Sequence, residues 1–368
     1  AENLGYVRAQ AVDPEVLVDP KSNTAAIKLT IDTGPRYFYG DVSFEQDFLD
    51  PALLERTVSL RPGDPYDLRD VITFQQGLQL TNWASVVNVA PDFDSAESGR
   101  VPITVTMEPI QPNRYSIGVG YETDVGPRIS ARWNQRLINS AGHQADAFIR
   151  LSPVLSTIRG AYYIPVNNPV TDRLSTSAEF EREITADTSR RTLNGEFAFI
   201  RRSIDDRNFY KAFLEYRDEV YEVGDEPTED TRLLSLGFAR RFTELKFTLF
   251  PQTGRSLEYE VRGASGAVLS DTSYARLRVA GKYLLPLGKE GRFRLAGEVG
   301  AAWVENFDKC PTSLRYFAGG DSSIRGYEYK SLGPFDENGN VTGGRNLLVL
   351  SGEDIGAKFG APPIEQVS

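Results

Sequence analysis

The sequence predicts a mainly β protein in which a long antiparallel sheet follows a small α+β module. Three observations lead there. From Tyr115 onward apolar and polar residues alternate, the strand period, in stretches of roughly ten residues. Before about Ile110 the periods are mixed, with helix-like stretches between strand-like ones. The composition has 32 glycines, 17 tyrosines and 20 phenylalanines against one methionine, which favours strands and turns.

The elements follow in order. Leu4 to Gln10 reads as the end of a helix, and Val16–Val18 and Ala25–Ile31 as two closing strands. Residues 1–33 are therefore predicted to be the back half of one α+β module. Residues 34–111 are predicted to be a complete second one. Tyr37–Phe44 alternates as a strand. Asp50–Leu60 is a predicted helix, with Asp50 as its N-cap and Pro51 at its first position. A turn cluster follows, carrying Pro62, Gly63 and Tyr66. Leu68, Val71, Ile72, Phe74 and Leu78 give Asp67–Thr81 an amphipathic helical pattern. Val86–Phe93 and Val101–Met107 alternate as strands.

Beyond Tyr115, Tyr115, Ile117, Val119 and Tyr121 alternate with Ser116, Gly118 and Gly120. Leu193, Gly195, Phe197 and Phe199 form one apolar line. Ala212, Leu214 and Tyr216 oppose Lys211, Glu215 and Arg217, and Leu277, Val279 and Tyr283 oppose Arg276, Arg278 and Lys282. This pattern has two meanings. In a soluble sandwich the apolar face is the core. In a transmembrane barrel the apolar face meets lipid and the polar face lines the lumen. Strand length, mid-strand Arg and Glu on the polar face, and aromatics near strand ends (Tyr162, Tyr163, Tyr221, Trp303, Phe307) favour the barrel. About a dozen strands fit between Tyr115 and Leu350, with short turns expected on one side and long acidic loops on the other.

Several function classes are disfavoured. A net charge of −10 argues against a nucleic-acid backbone as partner. One cysteine, Cys310, forms no internal disulfide, and with one histidine, His143, a dedicated zinc site is not expected. Mean hydropathy is −0.35. The long uncharged run Val71–Pro91 is too polar for a membrane helix. Asp336–Asn340 resembles a calcium loop only loosely, lacking the far glutamate, and reads as a solvated turn. No phosphate loop or nucleophile–base pair is present, so no enzyme and no cofactor is expected.

The stretch F-A-G-G-D-S-S-I-R-G-Y, Phe317–Tyr327, resembles the sixth-loop motif of outer-membrane assembly barrels that carry periplasmic POTRA modules. Gly34–Val42, Arg61–Tyr66, Gly118–Arg128, Asn139–His143 and the flanks of the loop motif resemble that superfamily as well. Within it the chain looks most like the TamA family, the outer-membrane subunits of translocation and assembly modules. The resemblance implies a Gram-negative outer-membrane barrel of about sixteen strands, with about twelve present here and a POTRA domain in the periplasm. It implies that Gly319, Gly320, Ile324, Arg325, Gly326 and Tyr327 fold into the lumen, with Arg325 pinned to the wall. It also implies a weak seam at the first strand (Tyr115, Ile117, Gly118, Val119, Gly120, Tyr121), where an incoming strand pairs. The implied function is insertion of outer-membrane or autotransporter clients from the lipid bilayer seam, with a TamB-like inner-membrane-anchored partner. A two-partner-type secretion barrel and a passive pore are the alternatives.

The chain departs from that pattern at both ends. It starts inside a POTRA module, and after Leu350 the tail 351–368 does not alternate and contains Pro362-Pro363. The tail reads as a frame error or a truncation. Residues 112–350 are then an incomplete barrel. An open sheet would leave unpaired backbone groups in lipid, so the chain as it stands is expected to be inactive.

Overall fold

The computed structural model describes residues 5–21, 24–122, 126–224, 227–245, 251–288, 291–307, 309–320 and 323–355. They form two compact units. The first comprises Ala1–Asn113, Arg136–His143 and Pro165–Thr171, and the second the remainder.

In the first unit, β1 (Gln10–Asp19) and β2 (Thr24–Asp32) form an antiparallel hairpin. Among the described residues no helix end precedes it: Gly5–Ala9 is a run of turns and Gln10 is already strand. Gly5 takes a positive φ there and its carbonyl accepts from Tyr37 N, which explains why the helical reading fails. Leu4 lies outside the described residues. The rest of the unit is a three-stranded sheet of order β3-β5-β4: β3 (Phe38–Glu45), β4 (Ala84–Pro91) and β5 (Arg100–Pro109). Central β5 runs parallel to β3 and antiparallel to β4. Its Val101, Ile103, Val105 and Met107 are all buried, the period of a strand with one covered face.

Two helices join β3 to β4, α1 (Pro51–Glu55) and α2 (Leu68–Leu80). The predicted helix to Leu60 stops at Glu55. Thr57 Oγ1 bonds the Leu54 carbonyl at 2.6 Å instead of leaving it to a further turn. α2 starts as predicted, the Asp67 carboxylate accepting from Arg69 N at 2.8 Å. Its Val71, Phe74 and Leu78 are buried at helical spacing, in one core with Leu54, Trp83 and the β5 residues.

The segment 136–143, which links two strands of the second unit, folds as part of this core. Trp83 Nε1 donates to Gly142 O at 3.0 Å, Asp50 N to Ser140 O at 2.9 Å, and Leu137 packs on the cluster. Gly142 is required by both backbone and space: φ is 75°, and a Cβ there would meet the Trp83 ring at 2.7 Å.

The second unit is one antiparallel sheet of twelve strands in chain order. They are β6 (Asn113–Glu122), β7 (Gly126–Gln135), β8 (Gln144–Leu151), β9 (Leu155–Pro165), β10 (Asp172–Ile184), β11 (Thr188–Arg202), β12 (Asn208–Val223), β13 (Glu229–Leu245), β14 (Gly254–Ala264), β15 (Tyr274–Leu287), β16 (Gly291–Val304) and β17 (Asn346–Ile355). Among the described residues the sheet is not closed: β6 lies at one end and β17 at the other. β17 runs through Ile355, past the boundary predicted at Leu350. Gly352 and Asp354 break its apolar line, which hid the strand from the sequence pattern, but its backbone ladder with β16 continues. The rest of the predicted tail, from Gly356, lies outside the described residues.

The loop lengths do not sort as predicted. β12 continues to Val223 and β13 begins at Glu229, so both ends of the acidic stretch Tyr221–Asp230 are strand. Antiparallel order also puts the β6–β7 and β7–β8 turns at opposite ends of the sheet. The long connection is the one between β16 and β17.

One face of the sheet carries Leu193, Phe197, Leu214, Leu236, Leu277, Leu295 and Trp303, all exposed. The other carries Glu183, Arg190, Thr192, Glu215 and Glu219, all buried. A soluble sandwich would have the reverse, so the alternation has its membrane-barrel meaning.

Trp83 is the buried member of the three tryptophans, while Trp303 is exposed and Trp133 partly so. Phe74→Ala should cost about 3–5 kcal/mol, seen as an earlier midpoint when urea unfolding is followed by the blue-shifted Trp83 emission.

Candidate functional site

The buried polar face is met by the described residues of the β16–β17 connection, 305–307, 309–320 and 323–345. Two of its side chains reach deep carboxylates. Thr312 Oγ1 and Ser313 N both donate to Glu219 Oε1 at 3.1 Å. Lys330 Nζ donates to both oxygens of Glu183, at 3.0 and 2.8 Å. Glu219 and Glu183 are 0% and 2% exposed, a position a carboxylate holds only when donors surround it.

Arg190 supplies the rest. Its Nε donates to Glu183 at 2.6 Å, its Nη1 to Thr192 Oγ1 at 3.0 Å, and its Nη2 to Glu181. Thr192 Oγ1 passes a bond on to Glu219 at 3.2 Å, and Arg190 Nη1 itself lies 3.8 Å from that carboxylate. Period-2 geometry puts these groups together: Glu183 and Arg190 pair across the β10–β11 turn, and Thr192 stands opposite Glu219 on β12.

The charge network continues across the sheet. Arg217 holds Glu215 at 3.0 Å and donates to Ser313 Oγ at 2.9 Å. Arg262 of β14 reaches Glu215 of β12 at 3.2 Å, over intervening β13, which offers Ser235 and Gly237 there. Arg262 also holds Glu260 at 2.8 Å. Arg276 lies 4.3 Å above the Tyr316 ring, whose hydroxyl donates to Leu277 O at 2.6 Å. The loop base is closed by Tyr316 and Gly344, which exchange backbone bonds at 2.9 and 2.8 Å.

The residues singled out in the sequence fall into three groups. In the loop motif, Gly319, Gly320 and Gly326 all take positive φ, and Gly320 N donates to Tyr327 O. A Cβ on Gly319 would meet the Glu328 carbonyl at 2.3 Å, so the chain can turn back there only with glycine. Arg325 Nη1 donates to Glu353 of β17 at 3.2 Å, and Glu353 also binds Arg294 at 3.0 Å. The Arg325 side chain is 63% exposed, against 22% for Lys330. Ile324 is half-buried and Tyr327 exposed; Asp321 and Ser322 lie outside the described residues.

In the first-strand group, Tyr115, Ile117, Val119 and Tyr121 are exposed on β6, as are Gly118 and Gly120. Thr123, Asp124 and Val125 lie outside the described residues. In the turn group, Gly63 has φ 89° and its N donates to Tyr39 O, Pro62 is exposed, and Tyr66 is buried. The Tyr66 ring lies 5.6 Å from that of Tyr39 and 5.2 Å from that of Phe93, which makes it core. The Tyr39 hydroxyl donates to Asp67 O and accepts from Asp67 N, fixing the start of α2, and burial pushes its phenol up to about 12.

Sequence reasoning missed Glu183, Arg190, Glu219 and Lys330. The signal was present in part, since the run Glu215-Arg217-Glu219 has the inward parity of β12. The Asp336 carboxylate accepts from Asn338 N, Asn340 N and Asn340 Nδ2, a self-contained turn.

Cys310 is buried against Leu314, Leu233, Tyr274 and Val304, and burial pushes its thiol up to about 11. Both effects suppress the reactive thiolate. Maleimide should therefore modify the folded chain slowly and the urea-unfolded chain fast; fast labelling of the folded chain would contradict the seated loop.

Residues 156–358 match the Omp85 superfamily domain. The fold is similar to that of BamA from Haemophilus ducreyi lacking POTRA domains 1-3, with a TM-score of 0.74 at 18% identity, over 98% of this chain and 75% of that one. It is also similar to CdiB from Escherichia coli, with a TM-score of 0.55 at 12% identity, over 89% of this chain and 63% of that one. CdiB from Acinetobacter baumannii aligns at a TM-score of 0.50 and 13% identity. The chain thus spans less than two thirds of either CdiB. The superfamily match takes in more than half of the chain, including the loop, the buried carboxylates and β17, and the chain belongs to the Omp85 superfamily.

Proposed function

We propose that this chain is the barrel and adjoining periplasmic part of an outer-membrane assembly factor of the TamA type. It inserts β-barrel or autotransporter clients and works with a TamB-like, inner-membrane-anchored partner. The observation that carries this reading is β6. Among the described residues it is the end strand of the sheet, and Asn113–Tyr121 are exposed. A free edge of N–H and C=O groups is a template for an incoming strand. Gly118 and Gly120 weaken that strand's own pairing. Clients would add at β6 while the apolar face stays in lipid.

Residues 34–111 are read as a POTRA domain and 1–33 as the closing part of another. The two helices between the first two strands of the β3-β5-β4 sheet support this, as does an alignment to BamA that takes in almost the whole chain. The likeness to CdiB keeps a second reading open, a two-partner-type secretion barrel, in which cargo passes through the lumen and never pairs with β6.

Disulfide cross-linking separates the two. Ser116→Cys on β6 should cross-link to a cysteine in the last strand of a stalled outer-membrane client. Cross-links confined to lumen-facing positions such as Asn194→Cys would favour secretion. Steady conductance with neither cross-link would leave only a pore.

A further inference from the structure

We propose that the lipid-facing side of the sheet carries a binding site for the phosphate of a phospholipid headgroup, built on Arg240 with Tyr210 and Tyr259 beside it. The inference goes beyond the insertion function. It needs only the membrane-facing side of the sheet and holds for either cargo route.

Strand register puts Arg240 on that side. On β13 it stands opposite Tyr210 of β12 and Tyr259 of β14. Leu236, of the same parity on β13, is 71% exposed and stands opposite Leu214, which is exposed as well. From Leu234 to Phe242 the residues of that parity are leucine, leucine, phenylalanine, arginine and phenylalanine. Arg240 thus interrupts an apolar line, with Phe238 before it and Phe242 after it. The adjoining cross-strand row on the same face is apolar throughout: Phe199, Ala212, Phe238, Val261 and Leu277. β13 lies inside the sheet, with a paired strand on either side.

No carboxylate of the protein meets this cation. Three other arginines on the same face have theirs: Arg201 holds Asp172 at 2.6 Å, Arg255 holds Glu244 at 2.7 Å, and Arg232 lies 3.5 Å from Asp230. Among the described residues Arg240 has none. Its guanidinium lies 5.1 Å from the centre of the Tyr210 ring, the Tyr259 hydroxyl is its side-chain partner, and its Nε is buried without a hydrogen bond. A bare cation in hydrocarbon is costly, and the anions a bilayer offers this face are headgroup phosphates. The guanidinium fork fits a phosphate with two parallel N–H bonds. Its long stem reaches the headgroups from within the apolar band, and tyrosine hydroxyls belong at the same level. Arg240 is nearer the Leu245 end of β13 than the Glu229 end. Antiparallel order puts that end with the turns 136–143 and 165–171, which fold in the compact unit of the α+β module. On the proposed reading of that module this is the periplasmic leaflet, whose phosphates belong to phospholipids.

The test is retention of phosphatidylglycerol by the folded full-length chain in detergent, read by native mass spectrometry as the lipid is titrated, with heat-modifiable gel mobility as the folding check. The parent chain should keep a phosphatidylglycerol that Arg240→Gln holds on the order of ten-fold more weakly. Arg240→Lys, which keeps the charge but not the fork, should fall between the two. Arg255→Gln, which removes an arginine already paired with Glu244, should match the parent. Diacylglycerol, which has no phosphate, should bind parent and Arg240→Gln alike. Excess inorganic phosphate should leave the lipid in place. Its displacement by inorganic phosphate would make free phosphate the occupant and overturn the proposal. Equal retention of phosphatidylglycerol by folded parent and folded Arg240→Gln would overturn it too, as would an equal loss in Arg255→Gln. The readout involves no client, so its failure leaves the assembly reading standing.

Discussion

A carboxylate removed from water must be met by donors on every side, and Glu219 is the residue where this constraint is most severe. It accepts from Thr192, Thr312 and Ser313, with Arg190 and Arg217 close by. Two of those donors belong to the β16–β17 connection. Without that loop, Glu219 would stand on the sheet with part of its shell missing. The loop in turn would lose the site that holds Thr312 and Ser313. Strand parity brings Glu183, Arg190 and Glu219 to one face, and the loop completes them. Because a half-satisfied polar network is costly, the seated loop and the buried carboxylates stand or fall together.

The same parity sets the other face. The two inward carboxylates of β12, Glu215 and Glu219, are each followed by an apolar or aromatic residue on the other face, Tyr216 and Val220. In water such an exposed apolar face would be a liability; in a bilayer it is the solvated surface. The polar interior is thus no ornament of an otherwise hydrophobic fold. It is where side-chain specificity resides, because lipid discriminates little among the outward apolar residues.

Much of this was legible in the chain. The period of two over Tyr115–Leu350 identified strands, faces and the membrane setting, because outward and inward positions differ so sharply in polarity. Pro51 marked the start of α1 because first-turn preference is local, and the apolar spacing over Asp67–Thr81 marked α2. What the sequence hid was non-local. Lys330 and Glu183 are 147 positions apart, and their meeting depends on how the loop crosses the sheet. The motif around Arg325 drew attention because its glycines are conspicuous, yet the more buried contact is made by a lysine in an ordinary flank. α1 ended early because Thr57 competes for a carbonyl, and β17 ran on because ladder bonds do not need apolar side chains. The start of the chain misled for a similar reason: the backbone bond from Tyr37 to Gly5 leaves no trace in residue type.

The most direct measurement of the central claim is amide hydrogen exchange at Ser313, whose N–H goes to Glu219 rather than to any backbone carbonyl. In the folded chain in bilayers, the loop–carboxylate account predicts protection of Ser313 as strong as that of strand amides in β12. It also predicts loss of that protection in Glu219→Ala while the β12 ladder keeps its own. Exchange of Ser313 at the rate of an open loop in the parent protein would contradict the account, since Glu219 would then be buried without the donors that burial requires.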